Sequence, residues 1–167
     1  MASPLTLVPV TTKAELRRFV VLPNRLNAGD PQYIAPLIME RMEALSPKTN
    51  PFFDHAEVQL WLAVRDGRDV GRISAQIDSL TPDDGGPPVG HFGMIAAEDD
   101  PAIFKLLFEA AEGWLKARGK RRVIGPFNLS INEEVGLLID GHETPPMVMM
   151  GHDPPYAPAR VEEQGYA

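Results

Sequence analysis

The residues best suited to chemistry lie in one short turn between two apolar segments. Polar or acidic side chains occupy five of its seven positions, namely Asn128, Ser130, Asn132, Glu133 and Glu134. If the turn lines a cleft, like-charged neighbours raise the pKa of one carboxylate toward the working range of a general base. The structural alternative is that Ser130 and Glu133 form a capping box and that both acids only complement a helix dipole. We therefore take Glu134 and Glu133 as catalytic candidates and the other three residues as substrate-binding candidates.

Two further candidates for proton transfer lie near the end of the chain. His152, in the sequence Gly151-His-Asp-Pro-Pro, is either a proton carrier or the partner of a turn-stabilising hydrogen bond. Tyr156 is either an acid or a half-buried packing residue. The four histidines share no ligand spacing and no His-Glu-x-x-His helix is present, so no metal site is predicted.

A soft apolar run precedes these residues at Met147, Met149 and Met150. Such a run is typical of a core, although a groove for a lipid-like acyl chain would use the same residues.

Composition limits the class of protein. The chain has 167 residues, of which 44% are hydrophobic, and it has no cysteine, which excludes disulfides, thiolate nucleophiles and Cys-ligated zinc. A net charge of −7 argues against nucleic acid or anionic lipid as a general partner. No apolar run approaches the roughly 18 residues of a membrane-spanning helix. The start, Met1-Ala-Ser-Pro-Leu, lacks the pattern of a signal peptide, so a cytoplasmic location is predicted.

Hydrophobic periodicity predicts the elements that must position the candidates. Six strands are predicted, at 5–10, 58–64, 69–78, 89–96, 122–127 and 146–150. The second and third form a hairpin at Asp66-Gly67, and the glycines of the fourth indicate a bulge or a close backbone approach. Five helices are predicted: one from the Thr12 capping box until Pro23 limits it, one over 37–45, a long one capped by Asp99 or Asp100, one over about 130–139, and a weak one over 156–164. The order implies an α+β domain with a mixed, mostly antiparallel central sheet flanked by helices.

This order and several sequence runs resemble the GNAT acyltransferase superfamily, and in particular a bacterial GNAT-like family whose members are often named hypothetical proteins or dATP pyrophosphohydrolases. The runs that carry the resemblance are Pro47–Glu57, Val70–Asp78, Gly90–Gly93, Gly125–Glu134, Gly136–Gly141 and Pro145–His152. The resemblance implies one GNAT-like domain over residues 1–167, the N-terminal half of a longer tandem protein. It also implies that the superfamily's final strand, due where the chain stops at Gly165-Tyr-Ala167, is missing.

The resemblance further implies a co-substrate and a site. In the superfamily, acyl-CoA lies beside the bulged fourth strand, which corresponds here to Phe92, Gly93, Met94 and Ile95. Its pyrophosphate binds at the start of the long helix, where this chain has Glu98-Asp-Asp-Pro instead of a glycine-rich loop.

The superfamily also places a tyrosine acid on its last helix. Val161 stands at that position in this chain, so Tyr156 is the nearest substitute.

Two functions remain open from the sequence. The first is an N-acyltransferase that moves an acyl group from acyl-CoA or an acyl carrier protein to an amine, directly and without a metal or a covalent intermediate. The second is a non-catalytic GNAT-like half that packs on and completes an active second half, or on a second copy of the chain. A nucleotide pyrophosphohydrolase is disfavoured, because the chain has no P-loop and no Nudix-like glutamate box.

Overall fold

A mixed five-stranded sheet is the centre of the computed structural model, which describes residues 3–167. Its strands are β1 (Leu5–Pro9), β2 (Ala56–Arg65), β3 (Arg68–Asp78), β4 (Val89–Ala97) and β5 (Arg122–Ile124). They lie side by side in chain order, and only β4 and β5 pair in parallel. The helices of this part of the chain are α1 (Lys13–Leu26), α2 (Ile38–Ala44), α3 (Pro101–Ala117) and α4 (Ala157–Glu162), with a 3-10 turn at Pro51–Asp54. The predicted α+β architecture with a mixed sheet is confirmed.

The hairpin of β2 and β3 is the most local part of the sheet. Asp66 and Gly67 have φ values of 53° and 71°. Positive φ at both central residues defines the type I′ turn that matches the twist of the two strands. The hairpin predicted at these two residues is therefore confirmed.

Helix α3 covers one face of the sheet. Asp100 caps it by accepting a hydrogen bond from the Ala102 N–H at 2.8 Å, and Pro101 occupies its first position, as the sequence predicts. Ile103, Leu107 and Leu115 are fully buried against the strands. This face is the main hydrophobic core.

Helix α1 covers the opposite face and departs from its predicted end. It begins at the predicted capping box of Thr12 and Glu15 but continues through Pro23 to Leu26. A proline cannot donate to the carbonyl four residues earlier, which here belongs to Phe19. Nη1 of Arg72 on β3 donates to that oxygen at 2.8 Å instead. The freed carbonyl is therefore satisfied, and the same contact fixes Arg72 under α1.

The segment from residue 125 to residue 156 contains no helix or strand. The predictions of a helix over 130–139 and a strand over 146–150 are therefore wrong. Leu129 and Gly136 have φ values of 83° and 81°, which a helix cannot include, and the Asn128 N–H donates to the Glu134 carbonyl at 2.9 Å to close a loop. Met147–Met150 pairs with none of the described strands, and Val148 is 92% exposed. This methionine run therefore lies outside the core.

Two sequence predictions concern the location of the chain in the cell. Met1 and Ala2, on which the prediction of no signal peptide partly rests, lie outside the described residues. None of the described helices combines the length and the apolar character needed to span a membrane.

Candidate functional site

A cavity of about 150 Å³ opens between α1, the irregular part of β4 and the segment 125–154. The polar side chains that line it include Tyr33, Arg41, Arg72, Asn128, Glu133, Glu134, His152 and Asp153. The cavity therefore brings together residues that are far apart in the chain, from α1 to the last loop.

A bulge in β4 forms one wall of this cavity. Arg72 pairs with Ala96 and Ser74 pairs with Gly93, so β4 has one residue more than β3 between these pairs. Met94 has a φ of 50° at this point. A Cβ on Gly93 would overlap the carbonyl oxygen of Phe127, so only glycine fits. The close backbone approach predicted from the strand glycines is confirmed.

The polar turn that follows β5 is held on the sheet by amide side chains. Oδ1 of Asn128 accepts a hydrogen bond from the Met94 N–H at 2.8 Å. The fully buried Gln76 of β3 donates to the carbonyls of Phe127 and Leu129, at 2.6 Å and 3.2 Å. These contacts fix the turn against the bulge and make it a wall of the cavity.

Glu134 has both carboxylate oxygens engaged. One forms an ion pair with Arg41 of α2, and the other accepts from Nδ2 of Asn128 at 3.0 Å. These two contacts, from a cation and from an amide, hold the carboxylate in one orientation.

His152 forms a dyad with Asp30. Its Nε2 lies 2.7 Å from Oδ2 of Asp30, and its side chain is only 2% exposed. This hydrogen bond holds the pKa of Asp30 below its ordinary value, and an ionised carboxylate can only accept, so Nε2 is the donor. The other ring nitrogen, Nδ1, is buried with no hydrogen-bond partner among residues 3–167. The dyad joins the last loop to the α1–α2 connection.

Arg72 is a cation without a carboxylate partner in the described part of the chain. Its guanidinium donates to the Phe19 carbonyl and stacks on the Phe19 ring, 4.8 Å from the centroid. Its Nε is buried and has no hydrogen-bond partner among residues 3–167. Burial lowers its pKa to about 10, so it remains positively charged at neutral pH.

The structure brings together some of the predicted site residues. The cavity is lined by the predicted residues Met94, Ile95, Asn128, Glu133, Glu134 and His152. Of these, Glu133 is exposed at the rim, while Glu134 is half-buried.

Other predicted site residues lie elsewhere. The side chain of Phe92 is fully buried and packs edge-on against Phe108, so it belongs to the core. Ser130 and Asn132 bond to each other in a surface turn, the Asn132 N–H donating to the Ser130 hydroxyl at 3.2 Å. Tyr156 donates its hydroxyl to the Ala97 carbonyl at 2.6 Å, and burial raises its pKa to about 12. A tyrosine held in this way is a packing residue with a satisfied hydroxyl.

Sequence reasoning missed the two cavity arginines and Asp30. A signal for Arg72 exists, because Arg72, Ser74 and Gln76 alternate along a strand that is otherwise apolar. Period-two polar residues share one face of a strand, and here that face meets the bulge and the turn. Arg41 and Asp30 carry no comparable signal, because their contacts are set by tertiary structure.

Known proteins resemble this chain in sequence and in fold. No family model matches it. The chain is 71% identical over 164 residues to the bacterial ceramide synthase of Caulobacter vibrioides and 50% identical over 154 residues to protein YghO of Escherichia coli. These matches cover 98% and 92% of the chain but only 43% and 39% of the two relatives, so the chain spans less than half of their length. Among solved structures, a tandem GNAT protein from the clavulanic acid biosynthesis pathway matches 97% of the chain and 43% of its own, with 14% identity and a TM-score of 0.60.

The chain has a GNAT fold. The resemblance seen in the sequence is thereby confirmed at the level of fold. Within the GNAT fold, β4 carries the bulge beside which the superfamily's acyl-CoA is expected, and the start of α3 is the expected position of its pyrophosphate.

The start of α3 in this GNAT domain is closed by ion pairs. Glu98 pairs with Arg25 at 3.1 Å and with Arg68 at 3.2 Å, while Asp100 pairs with Arg65 at 2.8 Å. Asp99 likewise pairs with Arg160 at 2.7 Å.

The backbone amides of this first turn are also engaged. Pro101 has no N–H, the Ala102 N–H donates to the Asp100 side chain, and the Ile103 N–H donates to the Asp100 carbonyl. The donors that a pyrophosphate needs are therefore already used within the chain.

Proposed function

We propose that the chain is part of an N-acyltransferase that joins a fatty acyl group to the amine of a long-chain base. The observation that carries this proposal is the cavity beside the β4 bulge, which collects a carboxylate, two guanidinium groups and an imidazole whose Nδ1 has no partner in the described part of the chain. The name of the Caulobacter relative supports the choice of substrates, since a ceramide is an amide of a fatty acid and a long-chain amine.

The reaction needs one base and no covalent enzyme intermediate. The amine nitrogen attacks the carbonyl carbon of the thioester and forms the amide bond, the carbon–sulfur bond breaks, and the proton lost by the amine passes by way of the base to the leaving thiolate, which departs as the thiol. Nδ1 of His152 is the better acceptor for that proton, because both oxygens of Glu134 are engaged by Arg41 and Asn128. Glu134 then orients the amine as a fixed negative charge.

The acyl donor is a thioester of coenzyme A or of an acyl carrier protein. The closed start of α3 and the occupied Met94 amide favour a donor whose phosphates are held outside this domain.

The closed start of α3 also favours a second candidate function. In it, the chain is a GNAT-like half that binds no acyl-CoA of its own and completes the site of an active second half. The two candidates differ in whether the chain alone binds and uses an acyl thioester.

The test is an acyl-transfer assay on the chain with palmitoyl-CoA and sphinganine, with the amide product measured by mass spectrometry. We expect amide formation to fall about 100-fold or more in His152→Gln, the lower end of a general-base contribution, and to fall also in Glu134→Gln, which loses the charge that orients the amine. Glu109→Gln is the matched control, since Glu109 is an exposed acid on α3 far from the cavity. Calorimetric titration of acetyl-CoA and palmitoyl-CoA decides between the candidates: absence of both binding and turnover contradicts the first function and supports the second.

A further inference from the structure

Among residues 3–167, no carboxylate forms an ion pair with Arg72, and the charges of Glu134 and Asp153 act on its guanidinium only from a distance. Two nearby acids are engaged elsewhere, since Glu134 binds Arg41 and Asp30 binds His152. Asp153 accepts from the Leu138 N–H at 2.9 Å, and burial raises its pKa. The Arg72 guanidinium has only a neutral carbonyl and an aromatic face.

An enclosed cation of this kind is costly unless a counter-charge reaches it. Removing a charge from water without a partner carries a large free-energy penalty, and buried charges in proteins are normally paired. The buried Nε of Arg72 has no acceptor among residues 3–167, while the side chain as a whole lines the cavity. A guanidinium presents its N–H groups in a planar fork that matches the two oxygens of a carboxylate. The missing acceptor is therefore best supplied by a ligand with an anionic oxygen.

Apart from Glu133 at the rim, the mouth of the cavity has exposed apolar side chains. Ile34 and Met150 line it and are 60% and 56% exposed, and the inner wall includes Val20, Pro23 and Leu26. Exposed aliphatic side chains at a cavity mouth favour a ligand that continues outward as a hydrocarbon. The volume of about 150 Å³ holds roughly five water-sized groups, enough for a carboxyl group and its first methylenes.

We propose that the cavity binds the carboxyl end of a fatty carboxylate, with the carboxylate oxygens at the Arg72 guanidinium and the alkyl chain leaving over Ile34 and Met150. The assignment rests on the proposed function in one respect: during acyl transfer the same position holds the carbonyl oxygen of the fatty acyl group. Arg72 then faces the oxygen on which negative charge develops, a role that the Met94 amide cannot take while Asn128 occupies it.

The first test compares three ligands of equal chain length on the unmodified chain. Laurate, dodecanol and dodecylamine are titrated by calorimetry at neutral pH and below their aggregation concentrations. We expect laurate to bind at least tenfold more tightly than dodecanol, and dodecylamine to bind most weakly. Dodecylamine binding as tightly as laurate, equal affinity for laurate and dodecanol, or no binding of laurate overturns the assignment.

The second test uses matched arginine variants. Arg72→Met should lower the affinity for laurate by about 10- to 100-fold, the loss of one charge-assisted hydrogen bond, and leave dodecanol unchanged. Arg68→Met is the control, because Arg68 lies on the same strand, is exposed and pairs with Glu98 outside the cavity. Equal laurate affinity in the unmodified chain and Arg72→Met, or an equal loss in Arg68→Met, overturns the assignment.

Two further measurements keep the test independent of folding and of turnover. A thermal melt establishes that each variant is folded, and if Arg72→Met is not, the three-ligand comparison alone decides. Ile34→Ser should weaken laurate and dodecanol by the same factor, and unchanged affinity for both contradicts the path of the alkyl chain. Laurate binding without any acyl transfer would contradict the proposed function and support the carboxylate site. Acyl transfer without laurate binding would contradict the carboxylate site and support the proposed function.

Discussion

The side-chain oxygen of Asn128 accepts a hydrogen bond from the backbone N–H of Met94 at 2.8 Å, so the free amide of the β4 bulge is capped by the chain itself. The same side chain donates to Glu134 at 3.0 Å. One amide thus links the bulge to the carboxylate that Arg41 holds from the other side.

Replacing Asn128 by alanine should lower the free energy of unfolding by about 1–3 kcal/mol, because a strand amide and a carboxylate lose their partner together. Asn132→Ala is the control, since Asn132 is exposed in the same turn, and its effect should stay within about 0.5 kcal/mol. Urea unfolding of the three proteins measures both values. Equal stability of the two variants would contradict the role of the Asn128 bridge.

Gly93 and Gly113 should respond in opposite directions to alanine. At Gly93 a Cβ meets the Phe127 carbonyl, which the turn cannot move without losing its bonds to Gln76, so Gly93→Ala should destabilise the fold by about 1–3 kcal/mol or more. At Gly113, in α3, a Cβ meets nothing within 4 Å, so Gly113→Ala should stabilise by about 0.5–1 kcal/mol. Thermal unfolding tests the pair, and the same sign for both would contradict this account.

The three tyrosines should all resist ionisation in the folded chain. Burial raises the pKa of Tyr33, Tyr156 and Tyr166, that of Tyr156 to about 12, from an ordinary value of 10.0. Because the folded-state pKa values lie above the unfolded value, their contribution to stability is complete below pH 10 and is lost as the pH rises toward 12 and beyond. Tyrosinate absorbance measures this: Tyr156 should titrate near 12 in the folded chain, and all three tyrosines should titrate at a lower pH in guanidinium chloride than in the folded chain.

The cap of α3 should be sensitive to acid. The hydrogen bond from Ala102, and then Arg65, hold the pKa of Asp100 below its ordinary 3.8. A depressed carboxyl pKa contributes stability above the unfolded value and loses it as the pH falls through the folded one. Asp100→Ala should therefore cost about 1–2 kcal/mol at neutral pH, and the difference from the unmodified chain should shrink below pH 3.8.

Asp99→Ala is the comparison for this cap, since it removes only the surface pair with Arg160 and should cost less than about 1 kcal/mol. A larger loss in Asp99→Ala than in Asp100→Ala would show that the ion pairs, and not the cap, secure the start of α3.

The parts of the fold that the sequence predicts are those whose signals are local. The turn at Asp66-Gly67, the capping box at Thr12 and the cap at Asp100 each satisfy their hydrogen bonds within a few residues, so tertiary contacts do not override them. The end of α1 could not be predicted from local signals. Its continuation past Pro23 depends on Arg72, which lies on β3 and takes over the carbonyl that the proline leaves free.

The candidate site was predictable only in part for the same reason. The polar turn at Asn128–Glu134 was visible as a dense run of polar residues, but its shape depends on Gln76 and on the bulge at Met94, and a helix was predicted in its place. His152 was recognised as a residue of interest, whereas its partner Asp30 is 122 positions away. Two residues so far apart in the chain cannot be recognised as partners from their spacing in the sequence.

The strand order also implies a sequence of assembly. The β2–β3 hairpin closes through a two-residue turn, whereas β1 pairs Leu5 with Arg65 across α1 and α2, and β5 pairs with β4 only across α3. Closing a longer loop costs more chain entropy, and this entropy is lost before the stabilising contacts form. We therefore expect the middle of the sheet to form first and its two edges later. The cavity needs α1 from one side and the segment 125–154 from the other, so it should be the last part of the domain to take shape.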